Sequence, residues 1–429
     1  MSSEADPRKA SFAWMREELS RPVDLARDPL WVSALLKADE STYYWYQRAH
    51  HIVFDGYGGG LAARRMAELY TAYAQGTEPD PNSFCTVEEM VAAEAGYRSS
   101  ERWKRDREYW HQQLAELPAT VTLSRSHRRY GLSSQLRRSV GYFAADTARR
   151  LTELGKTAEA SLPQVLISLV VAYYQRAAGV DDLVVGMPVS GRVKSELRRS
   201  LSVSANVVPI RIRFTPEITA LEVFRQVSQV VRQALRRQQY RYEDLRRDFG
   251  LLGQNQNLAW LGVNIEPFDY RLSFNGAIGS SHNLSNSSAE DLMIFVYDRG
   301  TDTGLRFDLD ANPALYGEAE LDEHRRRLSL LADQLLAHPD APLRSLDVLG
   351  DEERHRLLVG WNRTEGSIPE DRLPTLVAQW AASTPDAPAV VFEDTTLSYS
   401  ALHQRSVEQA RRLMAQGASI RSTFDCLGW

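Results

Sequence analysis

Apolar positions along the chain recur with two periods, and the switches between them predict alternating strands and helices. Val208, Ile210, Ile212 and Phe214 stand at every second place, so 207–214 is predicted as a strand. Val223, Val227, Val230, Val231 and Leu235 recur at helical spacing, so 220–238 is predicted as a helix with that stripe buried. Further strands are predicted over 138–143, 182–187 and 261–265, with a hairpin of 291–297 and 304–310 around Asp298-Arg299-Gly300. Helices are predicted over 101–116, 145–155, 163–178 and 317–337, with Pro163 in a tolerated first-turn position. The most apolar run, Val165 to Tyr174, is shorter than the ~20 residues that span a bilayer. It reads as a buried core helix.

Toward the N-terminus, 11–38 reads as a short helix, a break at Asp28-Pro29 and a strand. Residues 41–54 carry aromatics on both alternating faces and are expected inside a sheet, covered on both sides. A glycine-rich loop over 55–60 is expected next, then a helix from Leu61 to Tyr73 and a polar connection over 76–98. After His338 the pattern breaks. Residues 339–374 are rich in proline, charge and turn residues and read as a linker, and 375–418 restart as helix, strand pair and helix. Strands alternating with helices throughout place the chain in the α/β class.

Composition narrows the function classes. Of the 429 residues, 43% are hydrophobic and 25% charged, which fits packed domains and excludes a disordered chain. A net charge of −5 lacks the basic excess of a nucleic-acid binder, so no nucleic-acid partner is expected. No membrane partner is expected either. Cys85 and Cys426 stand far apart and form no CxxC pair, so neither a metal nor a redox dithiol is expected. The opening MSSEADPRKASFAWMREEL carries acids where a secretory leader needs an apolar core, and the expected location is cytoplasmic.

One segment concentrates candidate chemistry: His50-His51-Ile52-Val53-Phe54-Asp55-Gly56. Two histidines ending a strand point to opposite faces, so at most one faces a given cleft. An aspartate four residues after the second histidine can turn back to orient an imidazole or to fix the loop. Gly56, Gly58, Gly59 and Gly60 let the backbone take unusual angles and come close to a ligand. Taken alone, a His-x-x-x-Asp spacing is common by chance and more often marks structural histidines. The glycine run opens with Asp and is followed by no Gly-Lys-Ser/Thr, so it is not a phosphate loop.

His50–Gly56 resembles the HHxxxDG signature of condensation domains from nonribosomal peptide synthetases. The resemblance extends in order on both sides. Arg21–Leu25 with Asp28-Pro29-Leu30 resembles the "RPFDL…GPL" segment, Glu68-Leu69-Tyr70 the "ELY" of the next helix, and Tyr109-Trp110 with Leu114 the "YW…L". Asp182–Arg192, DLVVGMPVSGR, is close to "DVVVGTPVSGR", and Asn206–Arg211 resembles "NTLPLR". Gln238–Leu245 resembles "HQ…PFE.L" in weakened form. Within the family, Asn264–Tyr270 and Arg236–Tyr240 look most like catecholate siderophore synthetases of the enterobactin type. Trp361–Thr364, Ser383–Val390 and Leu397–Leu402 resemble the "WNxT" linker and the first adenylation motifs.

The resemblance implies a fold like chloramphenicol acetyltransferase, a pseudo-dimer of two α/β subdomains. These would be 1–140, incomplete at its start, and 141–338, then the linker 339–374 and the beginning of an adenylation domain, 375–429. It implies amide formation between a donor acyl or aminoacyl thioester and an acceptor aminoacyl thioester, in siderophore assembly. Both arrive on the phosphopantetheine of peptidyl or aryl carrier domains. No cofactor is expected to be bound by the chain itself, and the ATP site of an adenylation domain is not expected in it. His51 is the implied catalytic residue, with His50, Asp55 and Gly56 in structural roles and Gly56 keeping a tunnel floor clear. Ser190 and Asn206 are candidate tunnel-lining residues, or polar groups that satisfy backbone. The family's earlier arginine, which pairs with the aspartate at Asp55, has no counterpart, so Asp55 is expected to be less well held. The residues leave two other readings: an inactive fragment that retains only carrier or adenylation-domain docking, and a stand-alone CoA-type acyltransferase.

Overall fold

The computed structural model describes residues 6–126, 136–253, 257–266, 272–284, 290–297, 304–366 and 372–418. The turn Asp298-Arg299-Gly300, Pro267–Tyr270 and Cys426 lie outside the described residues. The chain divides into two compact units, Met1–Asp351 and Glu352–Trp429.

The first unit opens with α1 (Pro7–Leu19), β1 (Trp31–Lys37) and β2 (Tyr43–Ala49), followed by α2 (Gly56–Ala74), α3 (Val87–Arg98) and α4 (Glu101–Gln113). β1 and β2 form a two-stranded antiparallel sheet. The expectation of an interior strand over 41–54 is therefore corrected: among the described residues β2 has one strand neighbour, and Tyr43 is exposed. Its aromatics face both ways because different elements pack on each side. Phe12 and Trp14 of α1 meet Tyr44 and Tyr46 edge-on at 5.4 and 5.5 Å, and Trp45 meets Phe274 at 6.1 Å. The polar stretch 76–98 is also corrected, since its second half is α3. Thr86 accepts from the Glu89 amide, and the Glu89 carboxylate accepts from the Thr86 amide, a reciprocal cap that starts this helix.

The rest of the unit is a six-stranded mixed sheet with helices. In chain order it comprises β3 (Arg137–Phe143), α5 (Ala145–Thr157), α6 (Leu162–Ala178), β4 (Asp182–Val189), β5 (Asn206–Arg213), α7 (Ala220–Arg236), α8 (Tyr242–Asp248), β6 (Leu261–Glu266), β7 (Leu272–Phe274), β8 (Ala277–Gly279), β9 (Leu292–Tyr297), β10 (Leu305–Ala311) and α9 (Glu318–Ala337). The sheet order is β3-β10-β9-β6-β4-β5, and β7-β8 is a separate small hairpin. β6 runs parallel to β4 and β9, and the other neighbours are antiparallel. β3 pairs along its whole length with β10, so a division between residues 140 and 141 would cut through a strand.

Alternate strand residues such as Val185, Ile210, Val263, Ile294 and Phe307 join one buried core with Leu166, Val170, Val227 and Leu328 from the helices. The core reaches past the end of α9. Leu343 and Leu346 are buried, and Arg176 donates to the Leu346 carbonyl at 3.1 Å. The proline-rich stretch from 339 thus begins as part of this unit, because its two leucines have apolar surface to bury.

The second unit holds most of α10 (Asp351–His355), then α11 (Leu373–Ser383), the antiparallel pair β11 (Pro388–Phe392) and β12 (Thr395–Ser398), and α12 (Tyr399–Ala415). Trp380 of α11 stacks on Tyr399 of α12 at 5.9 Å. No helix among the described residues is long and apolar enough to cross a membrane.

Candidate active site

β2 ends at Ala49, and both histidines lie just beyond it in a turn. The expectation that they end the strand is corrected, and strand alternation does not set their directions. His50 shapes the turn. Its amide donates to the Leu30 carbonyl at 2.8 Å, its Nδ1 accepts from the Ile52 amide at 3.1 Å, and its carbonyl accepts from the Val53 amide at 3.1 Å. His51 is exposed, and no described residue forms a hydrogen bond or ion pair with its imidazole. Phe54, at the end of the turn, packs edge-on against Trp31 at 4.7 Å.

Asp55 ends the turn and begins α2. The glycines expected as a loop are the helix's first turn, because the Asp55 carboxylate caps it by accepting from the Gly58 amide at 2.8 Å. The same carboxylate reaches across the unit. It accepts from the amides of Ser204 and Ala205 at 2.9 and 3.0 Å, and from Nη1 and Nη2 of Arg192, each at 2.9 Å. Both side chains of this pair are about fully buried, at 2% and 1% exposure. Burial pushes the Asp55 carboxyl up, but the Arg192 hydrogen bonds and the Gly58 and Ser204 amides outweigh it and hold it below the usual carboxylate range. The expectation of a poorly held Asp55 is thus overturned: its arginine lies downstream, in the Ser190-Gly191-Arg192 turn after β4. Arg192 also donates to the carbonyls of Ser190, Ser200 and Ser202, and its guanidinium sits 4.6 Å from the centre of the Tyr57 ring.

The glycines divide sharply. A Cβ on Gly56 would meet no other atom of the protein within 4 Å. A Cβ on Gly58 would lie 2.1 Å from the Leu201 carbonyl oxygen. Gly58 is the position where α2 touches the 200–205 loop backbone, and a side chain does not fit there.

Ser190 contacts Arg192, and Asn206 braces the backbone between α7 and α8. The Ser190 Oγ accepts weakly from the Arg192 amide at 3.4 Å. The buried Asn206 donates to the carbonyls of Gln238 and Tyr240, both at 2.8 Å, and accepts from the Tyr242 amide at 3.0 Å. Its polar atoms are thereby engaged with backbone. Among the described residues no three His, Cys, Asp or Glu side chains gather as a metal site requires. Cys85 is partly buried, and desolvation with Glu89 nearby pushes its thiol up, away from nucleophilic character.

A mixed α/β unit, whose first section carries an exposed histidine on a turn clamped by a buried Asp–Arg pair to its second, has the architecture of the chloramphenicol-acetyltransferase-like class. The condensation-domain family matches residues 1–358, and the chain belongs to that family, the condensation domains of nonribosomal peptide synthetases. It is 34% identical over 417 residues, 97% of its length, to a dimodular nonribosomal peptide synthase of Bacillus subtilis, covering 18% of that protein. It is 28% identical over 418 residues, 96% of its length, to enterobactin synthase component F of Escherichia coli, covering 32% of it. The chain thus spans less than a third of either curated relative. Among solved structures, it resembles the starter condensation domain of rhizomide synthetase, a mutant in complex with C8-CoA and Leu-SNAC. That match has a TM-score of 0.74 and 34% identity, covering 81% of this chain and 78% of the other.

Proposed function

We propose that the chain forms an amide bond between a thioester-bound acyl or aminoacyl donor and a thioester-bound aminoacyl acceptor, each presented on the phosphopantetheine arm of a carrier domain. The observation that carries this reading is the buried Asp55–Arg192 pair, which anchors the turn ending in α2 while leaving the His51 imidazole open to a substrate. The acceptor amine attacks the donor carbonyl carbon, the C–S bond breaks, and the donor thiolate leaves with the proton that the amine gives up. An imidazole with an ordinary pKa of about 6.5 suits that proton transfer. An α-amine with an ordinary pKa of about 8 is already partly neutral at pH 7, so orienting the amine is an equally useful task for His51.

The second unit supports an adenylation-domain start: its helix, strand pair and helix follow the Trp361–Thr364 segment. Siderophore assembly is the pathway we assign, on the Asn264–Tyr270 and Arg236–Tyr240 resemblances and the likeness to the enterobactin enzyme.

The test is mass spectrometry of amide formed from a panel of acyl and aminoacyl thioesters on carrier arms, comparing wild type with His51→Ala. Wild type should form amide, and the variant should lose at least ~100-fold in rate, the scale of a lost acid–base or orienting group. An unchanged rate in His51→Ala removes His51 from the mechanism, and no amide across the panel with wild type removes the function.

A further inference from the structure

The two amides that hold Asp55 from the far side, those of Ser204 and Ala205, belong to a short loop that is itself gripped from behind. Arg241, in the connection between α7 and α8, donates from Nη1 to the carbonyls of Ser204 and Ala205 at 3.2 and 3.1 Å. No described residue offers Arg241 a carboxylate; both recorded acceptors of its guanidinium are these carbonyls. The geometry has a specific consequence. The Ser204 carbonyl and the Ala205 N–H are the two ends of one peptide group. A cation on the oxygen polarises that group and strengthens the N–H as a donor. The chain of contacts runs from the Arg241 guanidinium to the Ser204 oxygen, through the peptide plane, and from the Ala205 N–H to Asp55 Oδ2 at 3.0 Å.

The same connection grips the other strand end. The Gln238 Oε1 accepts from the Gly191 amide at 3.1 Å, one residue before Arg192, and Asn206 ties its own backbone to Gln238 and Tyr240. Residues 238–242 thus grip the backbone of Ser204 and Ala205 directly and, on the other side, that of Gly191 next to Arg192. Arg241 is their one cation, and nothing in the composition of this stretch singled it out from the neighbouring arginines.

We propose that Arg241 is a positioning residue for the site: its charge, relayed through the Ser204–Ala205 peptide, holds Asp55 and with it the turn that presents His51. This rests on the reading of that turn as the site of amide formation, and its test separates the two.

Arg241→Gln keeps a hydrogen-bonding side chain without the charge, and Arg241→Lys keeps the charge. Amide hydrogen exchange at Ala205 and Gly58 is followed in the full chain, with the core helix segment 165–174 as the internal reference. Turnover is measured with C8-CoA and Leu-SNAC as probes. In Arg241→Gln, exchange at Ala205 and Gly58 should rise about tenfold relative to the core, and kcat should fall about tenfold with KM retained, as befits one charge-assisted contact. Arg241→Lys should restore most of both. Unchanged exchange in Arg241→Gln, a loss in Arg241→Lys equal to that in Arg241→Gln, or raised exchange with wild-type kcat would each overturn the proposal. If wild type does not turn over the probes, the fault lies with the probes or the amide-forming reading, and the exchange comparison alone decides whether Arg241 holds Asp55.

Discussion

The two ends of the segment His50–Gly56 differ in how they are held. Asp55 is buried and receives five hydrogen-bond contacts, one from its own helix and four from residues 192, 204 and 205. His51, four positions earlier, is exposed, with its imidazole free of described partners. The difference teaches a division of tasks within one motif. The carboxylate spends its full hydrogen-bonding capacity on architecture, so it is not available to relay a proton. The imidazole is carried on a turn whose far end cannot move, which places it without engaging it.

The largest effect expected from this comparison lies at the held end. Asp55→Asn leaves the Arg192 guanidinium buried without its counter-charge, and unfolding free energy should fall by about 3–5 kcal/mol, the usual cost of breaking one side of a buried pair. Denaturant titration measures it, and a loss under 1 kcal/mol would mean that the pair does not hold the turn.

Next comes the helix that Asp55 caps. Gly58→Ala drives a Cβ against the Leu201 carbonyl and should cost about 3 kcal/mol, as overpacking does, whereas Gly56→Ala should stay within about 0.5 kcal/mol of wild type. Equal melting temperatures for the two variants would contradict the close approach at Gly58.

The smallest effect concerns a second carboxylate clamp, Asp248 of α8, which ties α8 to α4. It accepts from Arg107 at two 3.0 Å contacts and from Tyr240 at 2.6 Å, with His111 at 2.9 Å. Burial pushes this carboxyl up, but Arg107, Tyr240 and His111 outweigh it and draw it down to about 2. A depressed folded value means that its stabilisation is complete above the ordinary carboxylate value of 3.8 and is lost as pH falls from there to about 2. Asp248→Asn should flatten the stability profile of the chain in that window and leave its slope near neutrality unchanged. Identical acid limbs for variant and wild type would remove Asp248 as a contributor.

Much of the sheet and its helices could be read from periodicity alone, because the β5 strand and the α6 and α7 helices bury clean apolar patterns. α3 escaped notice even though Thr86 and Glu89 stand at capping-box spacing, since the stretch around them carries little apolar periodicity. α8 escaped because seven residues, five of them charged, show no stripe. At the site, the order of motifs pointed to His51 and Asp55, and Asp55 before Gly56 could have been read as a helix cap. Its partner could not be found by local pattern, because Arg192 is 137 residues away in the chain. The only signal was the arginine closing DLVVGMPVSGR. Arg241 lay deeper still: its effect passes through backbone atoms, and backbone contacts between distant loops leave no mark on side-chain pattern.

The most direct test of this division is a paired measurement on His51→Ala and Asp55→Asn, recording melting temperature and amide yield for both. The account predicts that His51→Ala melts with wild type but loses the amide, while Asp55→Asn melts well below wild type. If His51→Ala is destabilised as much as Asp55→Asn and still forms amide at the wild-type rate, the two ends of the motif do not carry the separate tasks assigned to them.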